Sequence, residues 1–415
     1  MTLQPHKDMS IKEIIDQWPE TLDVFIANGF DNFRDEKQRN AVAPYLKLER
    51  AAQMKNYDLD NFLALLRDQI VLAGNQADIT MKKTDHQHGD IRIAGLLPCP
   101  VRLPLLEQVD AFIDKFTTAS GYRVSYKLEA ASVGADWIAA NIRGIEDPEK
   151  LPDIFVSAGF ETFFDQQTIG RFKAQGVFED ISGEAVNPDF TDLNIRDPKG
   201  DYSIIAAVPA VFMVNHDVRG DLPIPRRWSD LLEPELAQQV ALPVGDFDLF
   251  NAILLAIHKE HGEEGIRKLG RCMLKSMHPS QMVKNAKRVN DAKPYVTIMP
   301  YFFTRMARMV NGLEIIWPED GAVVSPIFML TKRSTLDKTR PIAEFLNGRA
   351  VGEILSHKGL FPSLHPAVDN QLNFEHPWKW IGWDYIYQHD IGTLIHETNR
   401  IFAEALGIND NQGVN

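Results

Sequence analysis

Asp153-Ile-Phe-Val-Ser-Ala-Gly-Phe160 is the stretch that decides the fold: a short apolar strand runs into small residues, and a helix is predicted from Phe160. The same order occurs upstream, where a predicted strand at 91–94 precedes a predicted helix at 103–118 and a strand at 123–128. Strands that alternate with helices indicate parallel sheets flanked by helices, an α/β fold. Further strands are predicted at 204–208, 211–215, 240–242, 295–299 and 322–330.

The composition limits the classes of function. With 415 residues, 44% of them hydrophobic, the chain is expected to form at least two domains. The net charge of -13 disfavours binding to nucleic acid. No apolar run is long enough for membrane insertion. Met1 to Phe30 lacks the pattern of a secretory signal, so a cytoplasmic location is expected; a periplasmic one follows if an export signal has been removed.

Four segments are predicted along the chain. Residues 1–72 form a small all-helical domain, with the capping-box pair Ser10 and Glu13 ahead of its first apolar stripe. Residues 73–90 are polar and indicate a linker. The α/β alternation occupies 91–370, and 371–415 is a C-terminal helical tail.

Catalytic and metal signatures are missing from the sequence. The two cysteines, Cys99 and Cys272, are far apart and form no zinc or disulfide framework. Phosphate-binding loops, dinucleotide fingerprints, zinc-protease motifs and hydrolase elbows are all absent. We therefore expect no enzyme activity, no cofactor and no metal.

Small or polar loops follow four of the predicted strands, at 95–100, 157–160, 243–246 and 300–301. In open α/β sheets, ligands bind outside the carboxyl ends of strands, where helix N-termini present free N–H groups. The loops and the aromatic residues near them supply the candidate ligand-binding residues, which are Leu97, Cys99, Ser157, Gly159, Phe160, Phe212, Asp246, Tyr301, Arg305 and Trp317.

Several motifs occur in the order of a known family. Asp153-Ile-Phe-Val-Ser157, Pro225-Arg-Arg-Trp-Ser-Asp-Leu-Leu-Glu-Pro234 and Trp317-Pro-Glu-Asp-Gly321 resemble segments of type II periplasmic binding proteins. They are similar to the branch that serves ABC importers of iron(III), thiamine and polyamines. The resemblance implies two α/β lobes joined by crossing strands near 206–215 and 322–330. It also implies a small-molecule ligand captured between the lobes by hinge closure, and an ABC permease as partner.

The N-terminal segment resembles a small helical domain of unknown function. Members of that domain family usually carry a Cys-x-x-Cys pair after a glycine, whereas this chain has Gly29-Phe-Asp-Asn-Phe33. The departure puts a thiol or cluster role in doubt and favours contact with a protein partner or dimerisation.

The ligand is not named by the sequence. Iron(III) members of the resembling branch hold the metal with a His, a Glu and two adjacent tyrosines, and the corresponding places here are Pro98 or Cys99, Ala158 and Tyr301-Phe302. An iron(III) site of that kind is therefore not expected. Arg305 near the second-lobe loop makes an anionic ligand one option. The alternatives are a cytosolic ligand sensor or interaction module without a transporter, and an enzyme that uses Cys99 in the cleft.

Overall fold

The structure is a computed structural model of the 415-residue chain. It describes residues 4–18, 21–22, 25, 30, 33, 36–55, 59, 62–63, 66–67, 70, 89–98, 101–130, 138, 142–173, 175–244, 247–276, 293–307, 311–372 and 376–407. The chain divides into two compact units, Met1–Thr84 and Asp85–Asn415.

The first unit is helical where it is described. Its helices are α1 (Ile11–Gln17), α2 (Glu36–Val42) and α3 (Leu48–Met54). The predicted capping box is confirmed, since the Ser10 hydroxyl accepts from the Glu13 N–H at 3.2 Å and the Glu13 carboxylate accepts from the Ser10 N–H at 2.7 Å. Four phenylalanines meet mostly edge to face in the core, namely Phe25, Phe30, Phe33 and Phe62.

The second unit contains a ten-stranded mixed sheet with helices on its faces. The strand order is β2-β1-β3-β9-β4-β7-β5-β6, with β8 paired to β4 and β10 paired to β9. The strands are β1 (Ile91–Leu97), β2 (Val124–Ala130), β3 (Ile154–Ala158), β4 (Ser203–Asn215), β5 (Val240–Leu242), β6 (Met273–Ser276), β7 (Val296–Pro300), β8 (Leu313–Ile316), β9 (Ala322–Thr331) and β10 (Trp378–Lys379).

Two long strands run through both halves of this sheet. The first half of β4 pairs with β9, and from Ala210 onward β4 pairs with β7 and then β8. Strand β9 in turn pairs with β3 at its C-terminal half. We name β1, β2 and β3 with their helices lobe one, and β5, β6, β7 and β8 with theirs lobe two. Strands β4 and β9 join the two lobes.

The joining strands carry irregularities between the lobes. Pro209 in β4 lies opposite Val324, and Pro326 in β9 lies opposite Ala207. The register of β4 and β9 shifts between Ile204 and Ala206. Neither proline interrupts the hydrogen bonds between β4 and β9: the Pro326 carbonyl accepts from the Gly159 N–H on the β3 side, and Ala207, opposite Pro326, donates to the Pro362 carbonyl away from β9.

Helices cover both faces of the sheet. They are α4 (Arg102–Ser120), α5 (Glu161–Phe164), α6 (Gly170–Lys173), α7 (Phe247–Cys272), α8 (Thr304–Ala307), α9 (Leu336–Leu346), α10 (Arg349–Glu353), α11 (Trp383–Gln388) and α12 (Ile391–Ala405). None of the helices in the described ranges combines the length and apolar character that crossing a bilayer requires.

The two faces of the sheet differ in how their cores are divided. On one face, which we call the back face, a single apolar cluster runs from Phe155 in lobe one to Phe250 in lobe two. The C-terminal helices belong to that cluster: Trp383 contacts Tyr202 at 5.8 Å between ring centroids, and Phe402 contacts Phe250 at 5.0 Å. On the opposite or front face, the buried residues form separate clusters in lobe one and in lobe two.

Candidate functional site

The carboxyl ends of β3 and β7 face each other across the joining strands. Ala158 at the end of β3 pairs with Ile327, which pairs with Ala206 of β4. Pro300 at the end of β7 pairs with Ala210 of β4 from the opposite direction. Ala206 and Ala210 are four residues apart along β4, which corresponds to about 13 Å at the rise of an extended chain. The loops after β3 and β7 therefore border one interlobe cleft.

Lobe one and lobe two touch at Gly159. This residue follows β3 with φ +79°, and its N–H donates to the carbonyl oxygen of Pro326 at 2.9 Å. A Cβ atom built on Gly159 would lie 2.4 Å from Oδ1 and 2.8 Å from Cβ of Asp248, in the first turn of α7. The Asp248 carbonyl accepts from the Ser325 hydroxyl at 3.2 Å. Only a residue without a side chain allows this approach of the two lobes.

A second interlobe contact is aromatic. Phe302, which follows β7, stacks on Phe361 with ring centroids 6.2 Å apart and an interplanar angle of 25°. Phe361 belongs to the front-face cluster of lobe one. The loops of the two lobes are thus already in contact across the cleft.

Two long helices begin at the cleft. Helix α4 follows β1, its N-cap residue Val101 makes no side-chain cap, and its first turn holds no acidic residue. Helix α7 follows β5 and carries Asp248 in its first turn. The N-terminus of α4 therefore keeps the partial positive charge and the N–H donors that attract anions.

Four of the predicted ligand-binding residues have buried side chains. Leu97 belongs to the front-face cluster of lobe one, and the Ser157 hydroxyl donates to the Ala158 carbonyl at 3.2 Å. Phe160 contacts Phe164, Phe328 and Trp380 on the back face. Phe212 packs edge to face on Trp228 at 4.9 Å. Their side chains are part of the packed interior, with Leu97 in the front-face cluster and Phe160 and Phe212 in the back-face cluster.

Tyr301 and Trp317 lie together in lobe two. Their ring centroids are 5.2 Å apart at an interplanar angle of 82°. Arg305 lies in α8, and its side chain is outside the described part of the chain. Cys99 and Asp246 lie outside the described residues altogether.

Some residues near the cleft and near Tyr301 were not among the predicted ligand-binding residues. Asp248 meets Gly159, and a pocket beside Tyr301 and Trp317 is lined also by Leu313, Ile315 and His376. The spacing Leu313-x-Ile315 is typical of one face of a strand and was the available signal. His376 is distant in sequence from these residues, and no sequence pattern indicated that it lies beside them.

Lys173 packs against Tyr387 of the C-terminal helix α11. The Lys173 ammonium lies 3.8 Å from the centroid of the Tyr387 ring and 5.1 Å from that of Tyr202. Burial lowers the pKa of Lys173 to about 8, and the nearby Asp197 carboxylate opposes that shift. The Tyr387 hydroxyl donates to Asp197.

Family comparison agrees with this architecture. Residues 149–389, more than half of the chain, match the family model described as bacterial extracellular solute-binding protein. The chain belongs to this family. Residues 6–63 of this solute-binding protein match a domain of unknown function, DUF1858. Both matches confirm the resemblances drawn from the sequence.

Solved structures share the fold of this solute-binding protein at low sequence identity. A ferric binding protein from Campylobacter jejuni has a TM-score of 0.53 at 14% identity, with 76% of this chain and 99% of that chain covered. A Trichodesmium protein in complex with iron and citrate has a TM-score of 0.54 at 12% identity, with coverages of 77% and 99%. An ABC transporter structure from Clostridium perfringens has a TM-score of 0.53 at 14% identity, with coverages of 75% and 100%.

These likenesses support the α/β two-lobed fold. No curated protein matches the sequence. Within the described ranges, no group of three His, Cys, Asp or Glu side chains is arranged to hold a metal ion.

Proposed function

We propose that the chain captures a small anionic solute in the interlobe cleft and releases it to the permease of an ABC importer. The register of β4 carries this proposal, because it sets the strand ends of both lobes four residues apart and facing each other. Ligands of open α/β sheets bind at such carboxyl ends. The uncapped N-terminus of α4 supports a negative charge on the solute.

The joining strands support closure as the mode of capture. Strands β4 and β9 join the lobes, and the contacts of Gly159 with Asp248 and of Phe302 with Phe361 are interlobe contacts that opening would break. A ligand that touches both lobes favours the closed arrangement by its differential affinity for it. We expect binding without chemical turnover.

Native mass spectrometry of the freshly purified full-length chain tests the proposal directly. A retained small molecule is expected, and an anion panel of phosphate, sulfate, citrate and short carboxylates should raise the unfolding midpoint. At a concentration of one hundred times Kd, a ligand adds about 2.7 kcal/mol of stability. If no member of a broad metabolite panel is retained or shifts the midpoint, solute capture is wrong.

The transporter partner and the compartment belong to the same proposal. Delivery to a permease requires the chain outside the cytoplasmic membrane, whereas the sequence led us to expect the cytoplasm. Cell fractionation decides between them. A periplasmic chain supports delivery to an importer, and a cytoplasmic chain supports a ligand sensor whose protein partner docks on the helical domain.

A further inference from the structure

Lys173, at the end of α6, has an ammonium group that packs on aromatic rings. Its Nζ lies 3.8 Å from the centroid of the Tyr387 ring and 5.1 Å from the centroids of the Phe164 and Tyr202 rings. No carboxylate oxygen of a described residue lies within 4.0 Å of this nitrogen. The rings shield the nitrogen from water, and none of them supplies a full negative charge.

A second ammonium group approaches the Tyr387 ring. The Lys199 Nζ also lies 3.8 Å from the centroid of that ring, so the two nitrogens are separated by no more than twice this distance. Two positive charges this close favour the uncharged form of one amine, and burial decides which one. Lys173 is partly buried and Lys199 is exposed, so the uncharged form is favoured at Lys173.

The groups around Lys173 leave its amine easily deprotonated. Burial is the largest cause of its pKa of about 8, and the Lys199 ammonium acts in the same direction. The Asp197 and Asp201 carboxylates act in the opposite direction. Burial raises the pKa of the hydroxyls on both neighbouring tyrosine rings, so these hydroxyls stay uncharged in the same pH range. An uncharged amine is a nucleophile, whereas an ammonium is not.

The position of Lys173 is suited to a small reagent from solution. The residue is only partly buried, so its amine is not sealed inside the core. Phe164 and Tyr202 belong to the back-face cluster, and Tyr387 packs against that cluster. None of these residues is among the predicted ligand-binding residues, so chemistry at Lys173 goes beyond solute capture between the lobes.

We propose that Lys173 is a modification site whose amine is acylated by small acyl phosphates. The Nζ lone pair attacks the acyl carbon, the bond from that carbon to the phosphate oxygen breaks, and the phosphate leaves with the bonding electrons. The proton from Nζ goes to water. The exposed Lys199 ammonium is close enough to attract the phosphate, which favours this donor class over an uncharged acyl donor. The product is an uncharged amide, so modification ends the cation–π contact with Tyr387 of α11.

Quantitative peptide mass spectrometry of the full-length chain treated with acetyl phosphate tests the proposal. At about pH 7.5, Lys173 should be acetylated at least about ten-fold faster than the exposed Lys115, because a pKa of about 8 leaves a far larger uncharged fraction than the ordinary lysine value of about 10.4. The rate at Lys173 should level off by about pH 9. Lys379, which lies 2.6 Å from Glu260 and 3.1 Å from Asp320, should react slowest.

The same reaction on the chain unfolded in urea is the control for the fold. Lys173 and Lys115 should then react at similar rates, because the aromatic rings no longer surround Lys173. A preference for Lys173 that persists in the unfolded chain overturns the proposal. So does a folded chain in which Lys173 reacts no faster than Lys115.

Removal of the second ammonium tests the choice of donor. Lys199→Met should slow acetylation of Lys173 by acetyl phosphate at least about three-fold, and acetylation by the uncharged donor acetic anhydride less. The matched control is Lys268→Met, which removes an exposed lysine that is not among the charges shifting the pKa of Lys173 and should change neither rate. Circular dichroism verifies that each variant is folded. Equal slowing with both donors overturns the assignment to acyl phosphates.

Discussion

Replacement of Gly159 by alanine tests whether the two lobes meet where the structure places their contact. The new Cβ atom would lie 2.4 Å from Oδ1 and 2.8 Å from Cβ of Asp248. The backbone at φ +79° is also unfavourable for any residue with a side chain, at about 1–2 kcal/mol. Two separate costs therefore add at this position.

A substitution at Gly121 separates the loss of stability due to the backbone angle from the loss due to the overlap with Asp248. Gly121 has nearly the same backbone angle, φ +78°, but a Cβ atom there would meet nothing within 4 Å. Gly121→Ala should therefore cost about 1–2 kcal/mol, the backbone contribution alone. Gly159→Ala should cost that amount plus the overlap, and overpacking typically adds about 1–3 kcal/mol. The difference between the two variants measures the interlobe contact.

Urea unfolding gives the two free energies, and small-angle scattering reports the lobe separation. Because Gly159 is in lobe one and Asp248 in lobe two, the overlap is relieved when the lobes move apart. The ligand-free Gly159→Ala protein should therefore have a larger radius of gyration than the Gly121→Ala protein. Adding Asp248→Gly, which removes the overlapping atoms, should reverse that expansion. Equal losses of stability with superimposable scattering curves would refute the reasoning.

Three further outcomes follow from side chains away from the cleft. Lys332→Met should cost about 3–5 kcal/mol in urea unfolding, because it leaves the buried carboxylate of Asp153, 3.2 Å from the Lys332 ammonium, without its partner; Arg400→Met, at an exposed pair, should change little. Since burial lowers the pKa of Lys173 to about 8 from 10.5, the unfolded chain binds more protons between those values, so Lys173 makes stability rise with pH there. Between about pH 7.5 and about pH 9.5, the free energy of unfolding of the wild type should therefore rise relative to that of Lys173→Met. A difference between the two proteins that does not change with pH would contradict this. Burial raises the pKa of Cys272 to about 12, so peptide mass spectrometry should find it alkylated by iodoacetamide only after unfolding.

The fold class was predictable because it depends on periodicity and on ordered motifs. The alternation of strands with helices and the ordered motifs from Asp153 to Gly321 gave the two-lobed α/β fold, which is confirmed. One detail was wrong: strands predicted at 204–208 and 211–215 are a single strand, Ser203–Asn215. Proline usually interrupts pairing, but here β9 and β7 support the strand on either side of Pro209, so it continues.

The site was harder to predict because side-chain direction depends on single residues. Successive residues of a strand point to opposite faces, so choosing Leu97 or Phe160 by its place near a strand end does not say which way it points. Both side chains are in the core. The Tyr301–Trp317 pair was selected for its aromatic character, and its neighbour His376 reaches it only through the path of the C-terminal segment along β9.

The apolar core is shared by both lobes on the back face and divided between them on the front face, which limits how the lobes can move. One continuous apolar cluster covers the back face, and the C-terminal helices contact both lobes there, through Trp383 with Phe164 of lobe one and through Phe402 with Phe250 of lobe two. We therefore expect the lobes to hinge about the back face. Among the described residues, the front-face clusters of the two lobes are separate, so lobe movement on that side separates no shared cluster. A bulky tag on the back face should therefore leave ligand binding undisturbed, whereas a tag at the front of the cleft should block it.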